Sequence, residues 1–84
     1  MQKPTIHRNG SSKEHLSEPL LEACDLIAQA IRRLEHDGAP NARDYYMQES
    51  DAFKVAMREH VGRLVKLQAV RAELVELIEH ITDS

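Results

Sequence analysis

The feature that most constrains this chain is a seam of side chains in its second half, spaced alternately by four and three residues. Phe53, Met57, His60, Leu64, Leu67, Arg71, Leu74, Ile78 and Ile81 keep that alternation without interruption. Such spacing returns each side chain to one face of an α-helix, whose period is about 3.6 residues, and scatters it over both faces of a strand. The expected element is a helix over 51–82, capped by Ser50 or Asp51. At about 1.5 Å per residue it makes a rod of about 48 Å. Val61, Val65, Val70, Val75 and Leu77 flank the seam and widen its apolar stripe.

A second amphipathic pattern covers 12–36. Leu16, Leu20, Ala23 or Cys24, Ile27, Ile31 and Leu34 recur at helical spacing, with acids, glutamine and arginines on the remaining positions. Ser11 stands three residues before Glu14, the spacing of a capping box. Pro19 falls inside the pattern, and a proline there removes a hydrogen bond and crowds the carbonyl four residues back. A kink near 19 or a fresh start near 15–19, with Ser17 as its cap, is therefore expected. Gly38 is placed to end this helix in a left-handed conformation, and Pro40 blocks its continuation. Residues 37–50 read as a loop. Residues 1–11, interrupted by Pro4 and the turn dipeptide Asn9-Gly10, read as an N-terminal arm.

The fold expected from these pieces is all-α: two long helices in an antiparallel hairpin, assembling into a helical-bundle oligomer. Ordering about 65 residues costs on the order of 100 kcal/mol, more than one two-helix interface offsets. The valine flank asks for a further covering surface. Charge points the same way. Residues 54–71 carry Lys54, Arg58, Arg63, Lys66 and Arg71 against Glu59, whereas 72–84 carry Glu73, Glu76, Glu79 and Asp83 with no lysine or arginine. Acids at a helix C-terminus oppose its dipole, so cations are expected from the arm (Lys3, Arg8) or from a neighbouring chain.

Several function classes are disfavoured. With 11 basic and 14 acidic residues the net charge is −3, unlike the basic excess of a nucleic-acid coat. No apolar run approaches the ~20 residues of a membrane span. The single cysteine, Cys24, fits a reducing, cytoplasmic setting and reads as a core residue. His7, His15, His36, His60 and His80 never recur at three or four residues, so no metal site and no cofactor is expected. No phosphate loop, nucleophile elbow or paired-carboxylate pattern occurs, and no catalytic residue or enzymatic activity is expected.

Two constellations remain. Arg43-Asp44-Tyr45-Tyr46 combines a planar anion-binding fork with stacking rings; the alternative is that the tyrosines plug the open end of the bundle. His60, Arg63 and Arg71 lie on or beside the long seam, where His and Arg either line a polar site or are satisfied and solvated locally. Gly62 between them suggests close approach of a backbone or ligand.

Thr5-Ile6-His7 with Asn9-Gly10-Ser11, the run Ala39-Pro40-Asn41-Ala42-Arg43-Asp44-Tyr45-Tyr46, and Ala56 through Glu59-His60 to Arg63 together resemble a family of short phage and prophage proteins of unsettled function. The resemblance spans nearly the whole chain. Pro19, inside a helix that is unbroken in the family, and Ala42, where glycine is more usual, depart from it.

The leading functional expectation is a non-enzymatic homo-oligomer that binds an anionic, nucleotide-like small molecule, by analogy with phage helical oligomers that sequester host immune signals. Arg43, Asp44, Tyr45, Tyr46, His60 and Arg63 form the expected site, with Asn9 and the arm as a lid. The alternative is a coiled-coil interaction module or an inhibitor of a host protein.

Overall fold

A serine opens the first helix, and it is Ser12. Its backbone is extended, and its Oγ accepts from the His15 backbone N–H at 3.1 Å. The start therefore lies one residue beyond the Ser11–Glu14 box. Glu14 stays in the first turn, where a carboxylate complements the positive end of the helix dipole. The computed structural model describes all 84 residues, Met1–Ser84. It contains α1 (Lys13–His36), one turn of 3₁₀ helix at Ala42–Asp44, α2 (Ala52–Asp83), and no strand.

α1 runs unbroken through Pro19, so the restart expected near 15–19 does not form. Proline cannot donate to the carbonyl of His15. Pro19 and His15 are both exposed, so water can take the place of the missing donor. At the other end, the N–H groups of Asp37 and Gly38 both donate to the Arg33 carbonyl at 3.0 Å. No glycine has a positive φ, so the left-handed conformation expected at Gly38 is absent. Gly38 is needed for space: a Cβ there would lie 3.0 Å from the Leu34 Cα. Asp51 precedes α2 without a side-chain capping bond. The far end of α2 is closed by the Ser84 hydroxyl, which donates to the His80 carbonyl at 2.6 Å.

The two helices pack on each other as an antiparallel hairpin. The half-buried positions of α1 include Leu16, Leu20, Ala23, Ile27, Ile31 and Leu34, with Cys24 buried among them. Every member of the α2 seam from Phe53 to Ile81 is half-buried or buried. Arginine on that seam is accommodated by a backbone group: Arg71 Nε donates to the Cys24 carbonyl of α1 at 3.3 Å.

The arm docks along the last turns of α2. A turn closed by Gly10 N–H donating to the His7 carbonyl at 3.1 Å folds the chain back. Lys3 Nζ then lies 3.5 Å from Glu76 Oε1, and His80 Nε2 lies 2.8 Å from the Pro4 carbonyl. A carbonyl only accepts, so the imidazole carries its proton on Nε2. A cation for the acidic end of α2 thus comes from the same chain. Ile81, 1% exposed, is the most deeply buried side chain of the molecule.

Burial is otherwise thin. Three of 84 residues are buried: Cys24, Ile81 and His60. The molecule measures 62 × 21 × 15 Å with a radius of gyration of 18.5 Å. A compact chain of this length has about 12 Å.

Candidate functional site

The loop after α1 is built from successive short turns. Pro40 lacks the N–H that a further helical turn requires. Asn41 then nucleates the 3₁₀ turn, its Oδ1 accepting from the Arg43 backbone N–H at 3.1 Å. Backbone bonds of 3.0 Å follow from Asp44 N to the Asn41 carbonyl and from Tyr45 N to the Ala42 carbonyl. Gln48 N to the Tyr45 carbonyl and Ala52 N to the Glu49 carbonyl, both 3.0 Å, carry the chain into α2. Tyr45 is half-buried, its ring 6.3 Å from that of Phe53 and tilted by 53°. Such a tilted arrangement is favourable for aromatic pairs.

This chain of turns leans over the first three turns of α2 and encloses an open cavity of about 600 Å³. Asp44 and Tyr45 come to it from the loop, His60 and Arg63 from α2. Two constellations separated by some fifteen residues in sequence are therefore brought together in part. The other half of the expected site is not. Arg43 and Tyr46 are exposed and do not line the cavity, Tyr46 being 77% exposed. The ring next to Phe53 belongs to Tyr45 alone.

Asn9 and the arm are displaced further. The arm is held at His80 and Glu76, and His60 lies twenty residues up the same helix, a rise of about 30 Å. The arm therefore does not cover the loop-end cavity of its own chain, and the expected lid is corrected. Two contacts mark that placement, the Lys3–Glu76 pair and the approach of His80 to the Pro4 carbonyl.

Further residues that the sequence did not assign to the site also line the cavity. Glu49, Asp51 and Glu59 add three carboxylates to that of Asp44, while Asn41 and Gln48 add amides. Gly38, Pro40, Ala52, Val55 and Ala56 supply an apolar wall. Four acidic residues thus line the space against one arginine, Arg63. Asp51 and Glu59 flank the first two turns of the long helix, about 80° apart around its axis, so helical spacing alone did not bring them together.

His60 sits at the cavity with only 6% of its surface exposed. Neither ring nitrogen makes a hydrogen bond within the chain, and neither is shut off from solvent. Gly62 does not mark a close approach, because a Cβ there would meet no atom within 4 Å. A smaller cavity of about 330 Å³ lies midway along the hairpin, between Ala28 and Arg32 of α1 and Gln68 and Ala72 of α2.

No helix is long and apolar enough to cross a membrane, and no three His, Cys, Asp or Glu side chains converge to hold a metal ion. Comparison of the chain with protein-family models, with curated proteins and with solved structures finds no match.

Proposed function

We propose that this protein is a non-catalytic helical-hairpin interaction module whose working form is a pair of copies joined along their helices. The observation that carries this reading is the apolar flank left uncovered by the hairpin. On α2, Val61 and Val65 are about half exposed, and the same row continues through Gln68 to Ala72. On α1, Leu21 is 49% exposed and shares its row with Ala28 and Arg32. The mid-hairpin cavity touches Ala28, Arg32, Gln68 and Ala72, so the two rows border one groove on one side of the molecule.

A second copy suits this groove by charge as well as by apolar surface. The chain makes two ion pairs of its own, Lys3–Glu76 and Arg33–Asp37. Arg58, Lys66, Glu73 and Glu79 are left without one. Two α2 helices side by side and antiparallel set the basic 54–71 half of each against the acidic 72–84 half of the other. Burial of a valine or leucine contributes roughly 1.5–3 kcal/mol. Val61, Val65 and Leu21 are already about half covered, so covering the rest adds a few kcal/mol per copy, comparable with the net stability of a small domain.

An anionic, nucleotide-like ligand is the weaker reading for the loop-end cavity, because four carboxylates repel it and Arg63 alone attracts it.

Sedimentation equilibrium at about 10 µM tests the proposal. The parent protein is expected to sediment as a dimer or a multiple of one. Val61→Glu combined with Val65→Glu is expected to give a monomer with a lowered, broadened melting transition. A cooperatively folded monomer of the parent sequence at that concentration overturns the reading.

A further inference from the structure

The cavity at the loop end has a chemistry separate from the apolar flank, and it lies within a single copy of the chain. We infer that it binds a small organic cation: an ammonium or guanidinium group carried on an apolar or aromatic stem.

Four observations converge on that class. The carboxylates of Asp44, Glu49, Asp51 and Glu59 outnumber the single guanidinium of Arg63 around the opening. None of the four is engaged in an ion pair within the chain. A positive group entering this space meets a net negative field and replaces repulsion among the acids with attraction.

The second observation is His60. Its imidazole is nine-tenths buried, lines the space, and keeps both ring nitrogens free of partners in the chain. Both nitrogens stay open to water, so a polar group that enters the space can take the place of that water at the imidazole. A neutral imidazole has one nitrogen able to accept, which is what an N–H of an ammonium or guanidinium requires.

The remaining two concern the stem. Tyr45 presents an aromatic ring at the cavity, held beside Phe53. The face of such a ring attracts a cation and packs against an apolar chain. Pro40, Ala52, Val55 and Ala56 complete an apolar wall without hydrogen-bonding side chains. At about 600 Å³ the space falls within the size of ordinary small-molecule sites. A bare divalent ion is a poor occupant, since no three His, Cys, Asp or Glu side chains come close enough to ligate one.

The test compares three probes of nearly constant shape: 2-phenylethylammonium, 2-phenylethanol and 3-phenylpropanoate, titrated at neutral pH and low salt into the intact protein. Chemical shifts of the His60 imidazole and the Tyr45 ring are followed by NMR. The ammonium is expected to shift both signals saturably, with an affinity at least tenfold above the alcohol and the carboxylate. Glu59→Gln with Asp44→Asn, two exposed positions, is expected to weaken the ammonium at least fivefold and leave the melting temperature within a degree or two. Equal binding of the alcohol or the carboxylate overturns the inference. So does an ammonium response that is absent at His60, or no stronger there than at Glu73 and Glu79 on the far half of α2. Because the groups involved belong to one copy, a monomeric protein that still binds the ammonium separates this inference from the proposed self-association.

Discussion

At Gly62 an added Cβ meets no atom within 4 Å, whereas at Gly38 it falls 3.0 Å from both the Cα and a methyl carbon of Leu34. Neither glycine has a positive φ, so the difference between them is one of space. Glycine in a helix interior is about 1 kcal/mol less favourable than alanine. Gly62→Ala is therefore expected to stabilise the protein by about 1 kcal/mol, read as a raised midpoint in urea or thermal melts. Gly38→Ala is expected to lower it by about 1 kcal/mol or more, because the contact includes backbone that cannot swing aside. A fall for Gly62→Ala would mean that a second backbone packs against residue 62 in the proposed pair of copies. His60 is the other residue whose meaning depends on surroundings. Its place on the seam was legible from spacing alone, but its bonding depended on whether any neighbour came within reach, and within the chain none does.

Among the elements, α2 was the most legible, because one unbroken four-three rhythm runs for nearly all its length and any break would expose the whole stripe. α1 follows the same logic and shows where local rules give way. Pro19 argues for a break, yet the apolar row from Leu16 to Leu34 stays in phase across it. Packing on α2 rewards every turn of a continuous helix, while the proline removes one hydrogen bond on an exposed face. Pro19→Ala restores a donor to the His15 carbonyl and is expected to stabilise α1 by roughly 1–3 kcal/mol. Loss of helical circular dichroism on heating checks it: the transition should move upward without a change in shape. The caps were less legible. Ser11 and Ser12 are chemically equivalent, and only the backbone angles of the helix entry choose between them.

For the molecule as a whole, the balance of burial is unexpected. The deepest side chain is at neither the loop nor the middle of the hairpin, but at Ile81, where the arm crosses the end of α2. Ile81→Ala is expected to destabilise the protein by about 2–4 kcal/mol, a typical loss for a buried aliphatic residue. Lys3→Ala, which removes an ion pair between partly exposed groups, is expected to change stability by less than about 1 kcal/mol. Paired urea denaturation curves check both. Equal losses would mean that the exposed Lys3–Glu76 pair contributes as much to stability as the buried Ile81 side chain.

From the sequence alone followed the all-helical class, the hairpin and the faces its helices turn to each other, because periodicity is a local property that neighbours along the chain impose on one another. The expected site was legible only in half. Asp44, Tyr45, His60 and Arg63 meet at one cavity, while Arg43 and Tyr46 turn outward and Asn9 goes with the arm to the other end. Which side chain of a loop faces inward depends on the path of its turns, and the docking of an arm depends on contacts between residues more than seventy positions apart. Only the tertiary structure decided these, along with the charge of the cavity, because a field is summed over groups that the chain brings together from distant positions.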